Sequence, residues 1–348
     1  MKLRLISSAV VMGIAAIALA SLTSAPLRSG GVPIPSRNFS FTAVTHVPPL
    51  PPGTHRLRIW LPLPYEERNQ AVSQLRIASP VHYKIHRDKE FENQIAYLEF
   101  GNDDIRWPFD IRVTFHAARF ENRVSLDVKD DPDRSPVISP ARFLLPDRLV
   151  PIDGAIAQLS HEQTKDAAMP IDKARRIYDY VISTMQFDRD VTGSGRGDAL
   201  WASDSKHGNS ADFDSLFIAL ARAAGIPARF EIGFALPVNV HEGAITNYHS
   251  WAQFYVQGVG WVPVDPTEAW QNKEKLDYFF AATDQNRVMF SMGRDIRLKP
   301  GQHGDPINFL VYPYAEFDGK PFTSLKTDYS FKDDKMASTA PHGESSTD

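Results

Sequence analysis

The sequence contains no cysteine among its 348 residues. This absence excludes disulfide bonds, zinc sites built from thiolates and catalysis by a thiol. It also excludes a lipid attached to an N-terminal cysteine. Any nucleophilic side chain in this protein must therefore attack through an atom other than sulfur.

Strong charge of one sign is missing as well. The net charge is −4 with 23% charged residues, and no basic cluster or stripe stands out, which excludes the usual nucleic-acid-binding classes. The sequence has no glycine-rich phosphate loop, no dinucleotide fingerprint and no acidic spacing typical of a calcium loop. We therefore expect no nucleic-acid partner, no cofactor and no metal.

Long hydrophobic runs are confined to the N-terminus. Lys2 and Arg4 precede an apolar run over residues 5–19, followed by small residues suited to cleavage. This pattern predicts a signal peptide at residues 1–25 and an exported protein, periplasmic or secreted. The alternative is an uncleaved membrane anchor, because the apolar stretch 5–22 is near the lower length limit for a span. Beyond this segment we expect no contact with a membrane.

The first part of the chain after this segment has strand-like patterns. Leu57, Ile59 and Leu61 alternate with other residues at a period of two, which is typical of a half-buried strand. Similar runs recur between turn-rich segments, and the 26 prolines favour extended structure over a helical bundle. Residues 33–135 are therefore predicted to form a β-sandwich-like domain.

Helical periodicity begins near residue 171. Residues 171–187 present one apolar face, and residues 210–224 form a second predicted helix that is closed by Gly225. Strand-like runs follow this helix. We therefore predict a mixed α+β core at residues 150–325, and a disordered polar tail at residues 326–348.

Ser210 stands at the start of the second predicted helix. Backbone N–H groups and the positive end of the helix dipole stabilise an anion at such a position. A serine nucleophile also requires a base within hydrogen-bond reach, because its hydroxyl must lose a proton during attack. The alternative interpretation is that Ser210 is an ordinary helix N-cap, a role that serine fills often.

His249 and Asp265 lie in two successive predicted strands, separated by sixteen positions. A hairpin folded about Gln257, with the loop Val256, Gln257 and Gly258, would place the imidazole and the carboxylate opposite each other on one face. A two-residue turn at Gln257 and Gly258 would instead place them on opposite faces. Taken singly, each residue is more often an ordinary strand histidine or turn aspartate.

These segments together resemble the transglutaminase-like superfamily, whose members are papain-like thiol enzymes with a Cys, His, Asp triad. Residues 208–230, GNSADFDSLFIALARAAGIPARF, are similar to its nucleophile helix, HSWAQF at 249–254 to its histidine strand, and GWVPVDPT at 260–267 to its aspartate strand. The N-terminal β domain and the segment 277–297 resemble the exported bacterial branch. The resemblance implies a papain-like core in which the nucleophile helix packs on an antiparallel sheet.

The resemblance assigns Ser210 to the nucleophile position, His249 to the base and Asp265 to the residue that orients the base. Active members of the family have cysteine where Ser210 stands, and Ser203 occupies another frequent cysteine position. One interpretation is an inactive or weakly active protein that retains a cleft for peptide or acyl groups. The other is a serine-dependent amidase, peptidase or acyl hydrolase. Both imply a peptide or protein substrate, and drift or deliberate substitution would leave the same pattern.

Overall fold

The structure is a computed structural model that describes residues 33–50, 52–53, 55–101, 108–127 and 138–334. The predicted signal peptide at residues 1–25 lies outside the described residues. Among the described residues, no helix is both long enough and apolar enough to cross a membrane.

The first part of the described chain is built from strands. They are β1 (Ser36–Val47), β2 (Arg56–Pro62), β3 (Gln70–Ala78), β4 (Tyr83–Arg87), β5 (Gln94–Gly101), β6 (Phe109–Phe120) and β7 (Asn122–Arg123).

Helices appear in the middle of the chain. After a 3₁₀ turn at Pro140–Leu144 come α1 (Gly154–Thr164), α2 (Pro170–Thr184), β8 (Gln186–Phe187), α3 (Ala199–Ser205), β9 (His207–Gly208) and α4 (Ser210–Ala223).

The last part of the described chain is again rich in strands. It contains β10 (Ala228–Ala235), β11 (Glu242–Ile245), β12 (His249–Val256), β13 (Gly260–Val264), α5 (Pro266–Gln271), a 3₁₀ turn (Lys273–Lys275), β14 (Ala282–Thr283), β15 (Arg287–Met292), β16 (Tyr314–Phe317), β17 (Lys320–Pro321) and β18 (Lys326–Asp333). The mixed α+β class predicted from the sequence is confirmed.

Two five-stranded sheets share one hydrophobic core. One sheet has the order β11-β18-β1-β6-β3 and the other has the order β17-β16-β2-β5-β4. Phe41 of β1 and Phe115 of β6 stack with their ring centroids 5.2 Å apart. They lie in the same core cluster as Ile59 of β2 and Leu98 of β5. Burial alternates along β6, as a period-two pattern predicts, but β2 is buried on both faces, because Arg58 and Trp60 are buried as well as Ile59; the prediction of a half-buried strand is therefore wrong for β2.

Strands from the end of the chain complete both sheets. β18 lies between β1 and β11, and β16 pairs with β2, so that the described residues from Pro35 onward form one compact unit. The prediction of a disordered tail from residue 326 is wrong for Lys326–Asp333. In this short strand the polar residues point outward while Tyr329 and Phe331 are buried, so its composition alone looks like that of a tail.

The core that carries the candidate site is a four-stranded antiparallel sheet with the order β13-β12-β10-β15. Helix α4 packs against β12 and β10 on one side and is surrounded by the other helices. Because α4 is covered all round, its side chains from Ser210 to Arg222 are buried. The helix predicted at residues 210–224 and the apolar helix predicted at 171–187 correspond to α4 and α2.

The hairpin between β12 and β13 differs from the predicted register by two residues. Val256 pairs with Gly260 and Ala252 with Val264, so the turn is centred on Gly258 rather than on Gln257. Gly258 and Gly260 both have positive φ, of 80° and 93°, a conformation that glycine adopts without strain. A shift of two residues preserves the face of a strand, because successive side chains alternate.

Candidate active site

Ser210 is the first residue of α4, and the helix is capped by its neighbour. The side chain of Asn209 accepts a hydrogen bond of 2.9 Å from the Ala211 N–H, and Asp212 Oδ2 accepts one of 2.9 Å from the Asn209 N–H. This pair forms a capping box. The alternative that Ser210 serves as the N-cap is therefore wrong, and its hydroxyl is not committed to the helix end.

The hydroxyl of Ser210 lies against strand β12, beside His249. Ser210 Oγ accepts a hydrogen bond of 3.3 Å from the N–H of Ser250, the residue that follows His249. One helical turn further along α4, Asp214 Oδ2 accepts a hydrogen bond of 2.6 Å from Ser250 Oγ. Two hydrogen bonds with Ser250 therefore join α4 to β12 directly after the histidine.

His249 and Asp265 are in direct contact. His249 Nε2 lies 2.7 Å from Asp265 Oδ2, and both side chains are buried. Continuing the hairpin register places Asp265 level with Trp251, so the carboxylate reaches His249 diagonally on the shared face. Because Nε2 is committed to Asp265, Nδ1 is the ring nitrogen left to exchange a proton with a nucleophile.

The structure thus brings the three predicted residues to one place at the meeting of α4, β12 and the start of α5. Within the part of the chain that the structure describes, the hydrogen bond of Ser210 Oγ is with the Ser250 amide and not with the His249 ring. Candidate nucleophile–base hydrogen bonds are often long before substrate binds, so this arrangement is compatible with a catalytic role.

Asp265 accepts hydrogen bonds at both of its carboxylate oxygens. Its Oδ1 accepts one of 3.0 Å from the Glu268 N–H and so caps α5, while Oδ2 accepts from His249 and also from Arg287 Nη1, at 2.8 Å. A carboxylate held at both oxygens has one orientation, which in turn determines the orientation of the imidazole.

Arg287 is a site residue that the sequence reasoning missed. It lies in β15, is 2% exposed, and its guanidinium also contacts Asp284, with Nη2 3.3 Å from Oδ1. The same guanidinium lies over the Trp251 ring, 5.0 Å from the centroid. An arginine within the apolar run RVMFSM was the available signal, because a buried charge requires a partner.

Neighbouring charges set the protonation of the pair. Burial alone would raise the pKa of Asp265, but the charges of His249 and Arg287 together lower it to about 2. Burial alone would lower the pKa of His249, yet the charge of Asp265 and the hydrogen bond with it raise that pKa above 6.5. The resting site therefore favours an imidazolium beside a carboxylate.

Two further carboxyl groups lie next to this pair. Burial, reinforced by the charge of Asp265, raises the pKa of Asp214 well above its ordinary value, so this carboxyl favours its neutral form. Glu268 Oε1 lies 3.9 Å from His249 Nε2, and burial raises the pKa of Glu268. The environment therefore raises the pKa of Asp214 and Glu268 and lowers that of Asp265, although the three carboxyl groups are close together.

The part of the chain that carries the three candidate residues matches a known family. Residues 157–266, which include Ser210, His249 and Asp265, match the family model of the transglutaminase-like superfamily. Residues 157–266 therefore form a transglutaminase-like core. The expectation drawn from its three motif segments is therefore confirmed at the level of the superfamily and of the papain-like fold.

One solved structure is similar to this chain in fold, and two proteins are similar to it in sequence. A candidate cysteine protease from Cytophaga hutchinsonii superposes with a TM-score of 0.57 at 15% identity, over 86% of this chain and 98% of that chain. An uncharacterised protein of Haemophilus influenzae is 26% identical over 313 residues, covering 79% of this chain and 85% of that protein. The uncharacterised protein YebA of Bacillus subtilis is 27% identical over 194 residues, covering 51% of this chain and 26% of that protein.

Proposed function

We propose that this is an exported transglutaminase-like protein that binds a glutamine side chain or another peptide-like acyl group, and that Ser210 leaves it inactive or weakly active. The observation that carries the proposal is the buried His249–Asp265 pair, with its contact of 2.7 Å, beside a serine at the N-terminus of α4. These are the positions that the family resemblance assigns to base, orienting residue and nucleophile.

The protonation of His249 supports weak activity. A thiol enzyme rests as a thiolate beside an imidazolium, so an imidazole that holds its proton suits a cysteine. Serine requires the opposite state, because its hydroxyl must give a proton to a neutral imidazole. The raised pKa of His249 reduces the neutral fraction near pH 7, and this lowers a general-base contribution of roughly 10²- to 10⁴-fold.

Atomic size supports the same proposal. A pocket shaped for sulfur leaves the smaller serine oxygen further from the carbonyl carbon, and a displacement of about 1 Å can reduce the rate around 10²-fold. The Ser250 N–H also hydrogen-bonds Ser210 Oγ and holds it against the strand.

A serine-dependent amidase, peptidase or acyl hydrolase is the second candidate. The imidazole of His249 favours it, because Nε2 contacts Asp265 and, among the described residues, Nδ1 has no hydrogen-bond partner. In this reaction Ser210 Oγ attacks the acyl carbon and its proton passes to Nδ1. The amine then leaves with that proton, and water releases the acyl group from Ser210. Activity of this kind rises with pH as His249 loses its proton.

The substitution Ser210→Cys tests the proposal. We expect the cysteine variant to incorporate an amine into a glutamine-containing peptide, or to cleave such a peptide, at least about 10²-fold faster than the protein with Ser210. The double variant with His249→Ala is the matched control and should lose this gain. A folded Ser210→Cys variant with no gain would contradict the proposal.

Labelling with a fluorophosphonate separates the two candidates. The hydrolase candidate requires covalent labelling of Ser210 that disappears in His249→Ala, whereas the weakly active protein remains unlabelled in both. N-terminal sequencing of the mature protein tests cleavage of the signal peptide, which requires a start after the predicted segment at residues 1–25; an intact N-terminus would indicate the uncleaved membrane anchor.

A further inference from the structure

Asp265 Oδ2 has two cationic or potentially cationic partners. His249 Nε2 and Arg287 Nη1 lie 2.7 Å and 2.8 Å from this single oxygen. A carboxylate oxygen that accepts hydrogen bonds from two donors stabilises the positive charge of each donor less than it would stabilise that of a single donor. The protonation state of the His249 imidazole therefore depends on the Arg287 guanidinium, because both groups contact the same carboxylate oxygen.

The sheet brings Arg287 to this position from a distant part of the sequence. Gly233 of β10 pairs with His249 of β12 on one side and with Met289 of β15 on the other. Arg287 is two residues before Met289 and therefore points to the same face as His249. A register shift in β10 between Ile232 and Gly233 sets this alignment.

Two carboxylates and one aromatic ring contact the Arg287 guanidinium. Asp284 Oδ1 accepts from Nη2 at 3.3 Å, Asp265 accepts from Nη1, and the Trp251 ring lies beneath the guanidinium at 5.0 Å. Trp251 is fixed in turn, because its Nε1–H donates a hydrogen bond of 2.6 Å to the buried Glu231. Such a clamp fixes orientation as well as charge, since the planar fork of arginine cannot rotate freely between two carboxylates.

We propose that Arg287 is a positioning residue of the candidate active site, which fixes the Asp265 carboxylate so that it accepts a hydrogen bond from His249 Nε2. Its positive charge also disfavours a second positive charge on the imidazole. This inference deepens the proposed function and depends on His249 acting there as the base. A serine nucleophile needs the neutral imidazole, so a group that restrains the imidazolium favours whatever serine chemistry the site retains.

The charges that face His249 come from three elements. Asp265 and Glu268, at the start of α5, favour the imidazolium, and Arg287 of β15 opposes it. Asp214 of α4 also lies close, but burial raises its pKa and favours its neutral form. Arg287 is thus the cation that counters the two carboxyl groups of α5.

Titration of His249 by NMR tests this inference on the unsubstituted protein and on Arg287→Gln, with Ser210 in place and no substrate. Removing the guanidinium should raise the pKa of His249 by on the order of 1 unit, as expected for a charge a few ångströms away. In Arg287→Gln, the nitrogen chemical shifts of the neutral His249 ring should also show that the proton is on Nε2 in a smaller fraction of the molecules. An unchanged or lowered pKa in folded Arg287→Gln would overturn the inference.

Two further variants serve as controls. Arg287→Lys keeps the charge and should keep the pKa of His249 within a few tenths of a unit. If Arg287→Gln does not fold, a rise in Arg287→Lys as large as that expected for glutamine would contradict the role of charge. Arg119→Gln removes another buried arginine that also lies over the Trp251 ring, at 6.0 Å, but pairs with Glu67. It should leave the titration unchanged.

The outcomes of the two proposals can be told apart. The titration needs no turnover, so a failed gain of function in Ser210→Cys leaves this inference standing if the pKa of His249 still responds to Arg287. Conversely, active Ser210→Cys with a His249 pKa indifferent to Arg287 supports the proposed function and overturns the positioning role.

Discussion

At the scale of single residues, the candidate site depends on how one buried carboxylate is shared. Asp265 caps α5 through Oδ1 and divides Oδ2 between His249 and Arg287. The motif segments of the sequence were sufficient to predict Ser210, His249 and Asp265. They do not include Arg287. Its place in an apolar run signals a buried charge, but its partner Asp265 is set by strand alignment across β10 rather than by a spacing along the chain.

The substitution Asp265→Asn should destabilise the fold by about 3 kcal/mol, because it leaves a buried imidazole and guanidinium without their shared carboxylate. The loss should depend on pH. Asp265 has a pKa lowered from 3.8 to about 2, so its stabilising contribution is present above pH 3.8 and is lost as the pH falls towards 2. His249 has a raised pKa, so its contribution is complete below pH 6.5 and is lost as the pH rises through the folded-state value.

Urea unfolding at pH 2.5, 5.5 and 9 measures this dependence. The difference between the unsubstituted protein and Asp265→Asn should be largest at pH 5.5. Asp179→Asn is the matched control, because Asp179 forms an exposed ion pair with Arg175 on α2; it should cost no more than about 0.5 kcal/mol. An Asp265→Asn effect of equal size at all three pH values would show that the pair is not ionised.

At the scale of secondary-structure elements, the sequence predicted which elements form more accurately than how they align. The glycines of the hairpin predicted a three-residue loop and correctly placed His249 and Asp265 on one face. The register was wrong by two residues because Val256 belongs to β12 and Val259 to the turn, and Gly260, with positive φ, begins β13. Such a slip is invisible to a period-two pattern, which is the same after a shift of two residues.

Gly233 determines the alignment of β10 with β15. A Cβ atom at this position would lie 1.8 Å from the Val288 carbonyl oxygen, a contact that backbone cannot relieve without moving. Gly233→Ala should therefore destabilise the protein by about 1–3 kcal/mol and should displace Arg287 from Asp265. Thermal unfolding and the NMR titration of His249 measure the two effects.

Gly243→Ala is the matched control for this prediction. A Cβ atom on Gly243 of β11 meets only the side chain of Val240, at 3.9 Å, so the substitution should be tolerated. If Gly233→Ala is as stable as Gly243→Ala and leaves the His249 titration unaltered, the close approach of β10 and β15 is not what positions Arg287.

At the scale of the whole molecule, the last strand of the described chain pairs with the first long strand. β18 pairs with β1 along its length and carries Tyr329, whose ring centroid lies 4.4 Å from that of Phe234. The sequence predicted the sandwich-like β layer from local alternation. It could not predict that β18 belongs to this layer, because pairing over nearly 300 residues leaves no local signal.

A chain that ends at residue 325 should be largely unfolded or aggregated. It loses Tyr329 and Phe331 from the core, where each large aromatic side chain is worth about 3–5 kcal/mol, and it exposes the edge of β1. A chain that ends at Asp334 keeps all of the β1–β18 pairing and should melt like the full chain. Circular dichroism melting curves compare the two, and equal melting temperatures would contradict a structural role for β18.

The central claim is that Ser210 lies where the N-terminus of α4 and His249 together stabilise an anion. Because the chain has no cysteine, Ser210→Cys introduces a single thiol whose alkylation by iodoacetamide can be followed without interference. We expect the alkylation rate to reach half its maximum at a pH between roughly 3.5 and 7.5, and this midpoint to rise when His249→Ala is added. A midpoint near the ordinary thiol value of about 8.5 that does not respond to His249→Ala would contradict the account.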